Sequence, residues 1–270
     1  MVKAKMCAPN KEGSNYTCFS YNTLKKIAKT LNQESKSKIN LNLGKKKLWE
    51  AIKLNMSNKC DANNHETCLI EQNIINKSEI NNTFRPKMPI SWKKNKKEWL
   101  STLDINSVME QYEHKYNDFV YMGAVPSDCP ENIWCELSNI NLNKFKSSNK
   151  MRIGIIFNLD KHNQPGSHWV ASYIDLRKNV VWYFDSNGFP PIKSIFNFLN
   201  KMKKELEIIN SANPEFGYNA RRHQYGNSEC GIYSMHFIIN CLQGKTLKNI
   251  SKKRIPDSRM NQLRYFFYRK

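Results

Sequence analysis

Apolar residues recur at three- and four-residue spacing over Tyr21–Leu31 and again over Lys47–Met56. That recurrence lines one side of a helix, so two amphipathic helices are predicted. Between and after them run polar stretches rich in lysine and asparagine, residues 32–44 and 73–83. Pro86 and Pro89 then interrupt regular structure. The pattern predicts a small, mainly helical N-terminal domain or arm over residues 1–95.

The texture changes from Trp99 onward. Residues 105–116 repeat their apolar positions at helical spacing, with Asp104 as the expected N-cap. Arg152–Asn158, His168–Leu176 and Val180–Phe184 read as strands, and Arg177-Lys178-Asn179 is a short turn that folds the last two into a hairpin. Pro191–Glu207 predicts a long amphipathic helix that opens on proline, where a missing N–H costs nothing. Cys230–Gln243 predicts a buried helix closed by Gly244. Helix, small sheet, then helices describes an α+β domain over residues 96–270. No internal repeat is visible.

Composition adds a core and a charge. With 40% hydrophobic residues and six tryptophans in 270, the chain can bury a core, which excludes a wholly disordered protein. The net charge is +20, and residues 1–100 carry 20 basic against 8 acidic side chains. Such a surface admits nonspecific nucleic-acid contact. Lysine outnumbers arginine 34 to 9, however, and base-reading forks are therefore scarce. The opening residues lack the apolar core of a signal peptide, and no segment is long enough to span a membrane. The expectation is a protein that is not secreted, kept in a reducing compartment with its eight cysteines as thiols. Cys60, His65 and Cys68 lie close together, as do Cys129 and Cys135 and, more loosely, Cys7 and Cys18, but none has the paired spacing of zinc modules, so neither metal nor cofactor is expected.

Three short segments carry the candidate chemistry: Ser167-His168-Trp169, Tyr183-Phe184-Asp185, and Gln224 through Glu229-Cys230-Gly231. A thiol nucleophile needs an imidazole to take its proton, and the imidazole needs an acceptor to fix its orientation. A hairpin folded about residues 177–179 pairs His168 with a position near 186–188, which brings Asp185 to the same end of the sheet. Cys230 opens a helix, where N–H groups and the positive dipole end favour a thiolate. Gln224, six residues upstream, can join the Cys230 N–H as an oxyanion donor. Singly, each residue has a duller reading: a surface histidine, a buried thiol, a turn aspartate. Their joint arrangement points to a cysteine protease.

That arrangement resembles the CE-clan cysteine proteases: the SUMO and ubiquitin-like-protein proteases and their large-DNA-virus relatives. Among these are the polyprotein-processing protease of African swine fever virus and, more distantly, adenovirus endoprotease. The family order of His-Trp, Asp, Gln and acid-Cys-Gly reads here as His168-Trp169, Asp185, Gln224 and Glu229-Cys230-Gly231. The resemblance covers about residues 99–270 and implies a papain-like or adenain-like core, a small mixed sheet flanked by helices. It implies a catalytic set of Cys230, His168, Asp185 and Gln224. Trp99-Leu100 through Asp104 is similar to the family's Trp-Leu-x-Asp stretch with two residues inserted. By resemblance, Trp99 and Trp169, with Gly231, would bind a substrate tail ending in Gly-Gly; from the residues alone, Trp99 serves equally well in a core. The basic N-terminal extension and the stretch Lys253–Asn261 also resemble the viral members. The expected function is cleavage after Gly-Gly-type sites in viral structural polyproteins, in host cytoplasm at assembly sites and within the virion. Three other readings stay open: removal of ubiquitin-like modifiers, acyl transfer to amines, and a non-catalytic basic binding protein.

Overall fold

The computed structural model describes residues 6–11, 16–34, 37–61, 65–80 and 82–269. Parts of the opening stretch read for a signal peptide and of the polar run 32–44 lie outside them. The chain divides into two compact units, Met1–Arg85 and Pro86–Tyr268.

In the first unit, α1 (Tyr21–Glu34) and α2 (Lys45–Asn55) form where the apolar spacing places them, and α3 (His65–Glu71) follows. Leu24, Ile27, Ala28 and Leu31 of α1 pack with Leu48, Trp49 and Ile52 of α2, and Phe19 sets its ring edge against Trp49. The buried Glu66 carboxylate accepts from the Thr17 hydroxyl and the Cys18 N–H, both at 2.6 Å. A buried carboxylate so satisfied ties α3 to the segment before α1.

The second unit holds a five-stranded mixed sheet in the order β1-β2-β3-β4-β5. Its strands are β1 (Phe119–Pro126), β2 (Arg152–Asn158), β3 (Trp169–Asp175), β4 (Val180–Phe184) and β5 (Glu215–Tyr218). The central pairs β2–β3 and β3–β4 are antiparallel, and the edge strands pair parallel to their neighbours. Side chains alternate between two cores. Ile153, Ile155, Phe157, Val170 and Val181 meet Ile195, Phe198, Leu199 and Met202 of α6 (Lys193–Asn210). Ile156, Ala171, Tyr173, Trp182 and Phe184 meet α4 (Thr102–Lys115), α7 (Cys230–Leu242) and α9 (Asp257–Phe267). Because both faces are covered, β3 and β4 read as nearly continuous apolar runs. Two short helices, α5 (Leu142–Ser147) and α8 (Leu247–Ser251), complete the unit.

Several expectations shift. The unit boundary falls ten residues before the expected 95, and Trp92 lies in the second unit's core with its ring 5.0 Å from that of Tyr268. The N-cap of α4 is Ser101 rather than Asp104, which sits at the third helical position and completes a capping box with it. Pro191 lies just outside α6, which starts at Lys193 after the N-cap Ile192. Six of the eight cysteines are paired as disulfides, Cys7–Cys18, Cys60–Cys68 and Cys129–Cys135, while Cys230 and Cys241 are free. The thiol expectation followed from compartment alone; each disulfide joins two cysteines that are neighbours in sequence, 11, 8 and 6 residues apart. No group of three potential ligands suited to a metal exists among the described residues. No helix among them is long and apolar enough to cross a membrane.

Candidate active site

The hairpin register decides the first half of the site. Ala171 pairs with Phe184 and Asp175 with Val180, so His168, one residue before β3, falls opposite Asn187 in the turn after β4. At the other end, Asp175 accepts from the Arg177 and Lys178 N–H groups and holds the hairpin turn. Asp185, one residue past β4, is buried, and its Oδ1 accepts from His168 Nε2 at 2.6 Å. The carboxylate is aimed by its own backbone. Asn219 Oδ1 accepts the Asp185 N–H at 2.8 Å, and Asn219 Nδ2 donates to the Asp185 carbonyl at 2.7 Å. Gly188 closes this turn at φ +80°, with Arg221 and Arg222 backbone atoms 2.7 and 2.8 Å from where a Cβ would stand. Any side chain there would push the Asp185 turn off the loop that pins it.

With Nε2 engaged, the other ring nitrogen is left to serve Cys230, whose side chain interacts electrostatically with the ring. Burial alone would depress the imidazole, but the hydrogen bonds and negative charge of Asp185 and Cys230 outweigh it and lift His168 to about 9. Cys230 is the first residue of α7, and its side chain is buried. Gly231 follows inside the helix, where a Cβ would meet Leu100 at 3.0 Å, so its missing side chain admits Leu100.

Gln224 is buried in the loop before α7. Its Oε1 accepts from the Ser186 hydroxyl at 2.7 Å, and its Nε2 donates to the Gly226 carbonyl at 3.0 Å, leaving the second amide hydrogen unassigned. The Ser186 carbonyl accepts from the N–H groups of both His223 and Gln224. Ser186 thus joins the aspartate turn to the glutamine loop. From the other side, Asp257 Oδ2 accepts from the Tyr225 and Gly226 N–H groups at 3.0 Å each. Glu229 is buried beside Cys230, accepting from Ser228 Oγ at 2.9 Å and Asn261 Nδ2 at 2.8 Å. Arg264, also buried, donates to the Ser228 carbonyl at 2.6 Å. His223 is neutral at physiological pH, lowered to about 4 by burial and by Arg221 and Arg254. Its Nδ1 accepts the Ile255 N–H, which makes it a structural residue.

A cavity of about 720 Å³ opens beside the histidine and is lined by Trp99, Trp169, Gly166, Trp134 and His162 among others. Trp169 is 5% exposed and donates its indole N–H to the Leu100 carbonyl at 2.9 Å, whereas Trp99 is 42% exposed. Both predicted tryptophans therefore line one groove. His162 is half-exposed, is held by Asp128 at 2.7 Å and lies edge-on to Trp134.

The sequence reading missed Asn187, Ser186, Asn219 and Asp257. Asn187 Nδ2 lies 3.3 Å from His168 Nε2, and its backbone N–H donates to Asp185 Oδ1 at 2.8 Å. The register expected from the hairpin, 186–188, already pointed to Asn187; Asp185-Ser186-Asn187-Gly188 was legible only as a turn.

Residues 134–269, just over half the chain, match the Ulp1 protease family, C-terminal catalytic domain. A protein of Acanthamoeba polyphaga mimivirus, named as a thiol protease, is 34% identical over 98% of this chain and 93% of its own length. A cysteine protease of African swine fever virus is 24% identical over 63% of this chain and 67% of its own. The crystal structure of an African swine fever virus protease shares the fold, with a TM-score of 0.71 at 20% identity over 98% of this chain and 95% of that one. The chain belongs to the Ulp1 protease family and is a cysteine protease of the viral, SUMO-protease-like kind.

Proposed function

We propose that the chain cleaves after Gly-Gly-type sites in structural precursor proteins of a large DNA virus, with Cys230 as nucleophile. The observation that carries this reading is His168 held between Asp185 and Cys230 and lifted to about 9. An imidazolium at neutral pH is the partner a thiolate requires. The Cys230 thiolate attacks the carbonyl carbon of the substrate glycine, forming a C–S bond. The resulting oxyanion takes hydrogen bonds from the free Gln224 amide hydrogen and the Cys230 N–H. His168, oriented by Asp185, gives its proton to the leaving amine as the C–N bond breaks. Water, losing a proton to the now neutral His168, then attacks the thioester and releases the new carboxyl terminus. Trp99 and Trp169 on the adjoining groove suit a backbone without side chains, since flat indoles close over glycine at van der Waals distance.

The viral relatives favour a viral precursor, in host cytoplasm at assembly sites and in the virion, over a host modifier. Wild type and Cys230→Ala are incubated with Gly-Gly-containing viral precursors and with ubiquitin-like modifiers carrying C-terminal extensions, and the new termini are mapped. Precursor cleavage by wild type alone is expected. Cleavage by folded Cys230→Ala would sink the nucleophile assignment, and cleavage confined to modifiers would replace the substrate by the deconjugation reading.

A further inference from the structure

Where α7 ends at Leu242, the chain turns through Gly244 into α8 and then into residues 252–255. These pieces enclose a second cavity of about 260 Å³, lined by His236, Asn240, Lys245, Lys252, Lys253 and Arg254 among others. No carboxylate lines it. Among the described residues, Lys245, Lys252 and Lys253 have no ion-pair partner, and Arg254 has one, Asp257 at 3.5 Å, outside the lining. His236 projects from α7, and its ring nitrogens have no hydrogen-bond partner among those residues. Burial, with the positive charge of Lys245 and Arg259 behind it, holds the ring down to about 4. Four cationic side chains therefore crowd one concavity around a neutral, unpartnered imidazole, without the counter-charge that usually accompanies such clustering.

We infer that this cavity is a binding site for a phosphate group. Its donors are ammonium groups, each offering three rotatable N–H bonds, together with side-chain amides and an imidazole. Such a set surrounds a tetrahedral dianion from several sides. A planar carboxylate would call instead for paired arginine forks, and Arg254 is already committed through its Nε to the His223 carbonyl at 2.8 Å. The space suits the ligand: a water occupies about 30 Å³, so the cavity holds one phosphate group with its first waters. The site shares no lining residue with the groove of Trp99 and Trp169. It backs onto the loop of Gln224, because Arg254 also lies over the Tyr225 ring at 4.4 Å.

The test uses the full-length protein with histidine ring carbons labelled and His236 assigned by His236→Gln. Sodium tripolyphosphate and a short single-stranded oligonucleotide are titrated separately, each against sodium chloride at matched ionic strength. Saturable movement of the His236 ring signals is expected, with its titration midpoint rising from about 4 as an anion replaces the unopposed positive field. Lys245→Glu/Lys253→Glu, both solvent-facing positions, is expected to weaken binding at least about tenfold. Saturation by tripolyphosphate alone identifies a free phosphate compound as the ligand, and stronger binding of the oligonucleotide identifies a nucleic-acid backbone phosphate. The inference is overturned if neither anion moves His236 beyond the chloride control, or if the double variant binds as wild type does.

Discussion

Asp185→Asn isolates what the carboxylate contributes to the histidine. The backbone of residue 185 is pinned on both sides by Asn219, so the variant keeps its turn, and an amide oxygen still accepts from His168 Nε2. What disappears is the negative charge 2.6 Å from the ring. In the wild type, burial opposes the imidazolium, yet Asp185 and Cys230 together carry His168 from 6.5 to about 9. At about 1.4 kcal/mol per tenfold, that difference is ~3 kcal/mol of preference for the charged ring. Removing one of two neighbouring negative charges lowers a midpoint by about 1–3 pH units. The assay is the His168 ring carbon signal followed by NMR from pH 5 to 10, which requires no substrate. Linkage supplies a second readout. A histidine raised in the folded state stabilises the fold fully below its unfolded value near 6.5, and the contribution is lost as pH rises through about 9. Wild-type stability should therefore fall across pH 6.5–9, and Asp185→Asn should flatten that slope. A His168 midpoint still near 9 in folded Asp185→Asn would refute the reasoning, since Cys230 and local dipoles would then be sufficient alone.

Three further outcomes follow from neighbouring contacts. Ser186→Ala removes the hydroxyl that fixes the Gln224 amide, and loss of one such bond, about 1 kcal/mol, should lower kcat roughly fivefold with KM unchanged. In a Gln224→Ala background the same change should cost nothing, and equal losses in both backgrounds would separate the serine from the glutamine. Glu229→Ala strips the buried Arg264 network of its carboxylate, at a cost of about 3 kcal/mol or more. A fall in Tm of several degrees checks it, at roughly 2–4 °C per kcal/mol for a unit of this size. Gly231→Ala places a methyl 3.0 Å from Leu100 and should destabilise by about 1–3 kcal/mol, measured by urea unfolding and partly relieved by Leu100→Ala.

The sequence was most legible where both faces of an element are buried. The runs 152–158, 168–176 and 180–184 are apolar over most of their length, and they became the three central strands almost residue for residue. Both edge strands escaped. β1 is broken by a register shift between Tyr121 and Ala124, with Gly123 at φ +93°, and β5 has four residues, none buried. Neither pattern alternates long enough to register as a strand. The site divides the same way. His168, Asp185, Gln224 and Cys230 have residue types that chemistry demands and positions fixed by one hairpin and one helix start. Asn219 and Asp257 act through backbone contacts 34 and about 32 residues away in sequence, and no local signal marks such a partner.

The two halves of the site are therefore held by different means. His168 and Asp185 extend directly from paired strands, so their separation is set by sheet register and shifts only if the hairpin slips. The Gln224–Glu229 loop has no sheet to follow. Ser186 fixes it from the aspartate turn, and the segment Asp257–Arg264 fixes it from behind through Asp257, Asn261 and Arg264. An oxyanion donor must be in place before charge develops, because reorganisation during the reaction would cancel its benefit. A segment close to the end of the protease unit thus acts as the rigid backing that a loop cannot supply for itself. Changes in α9 should therefore be felt in the chemical step while leaving the His168–Asp185 pair intact.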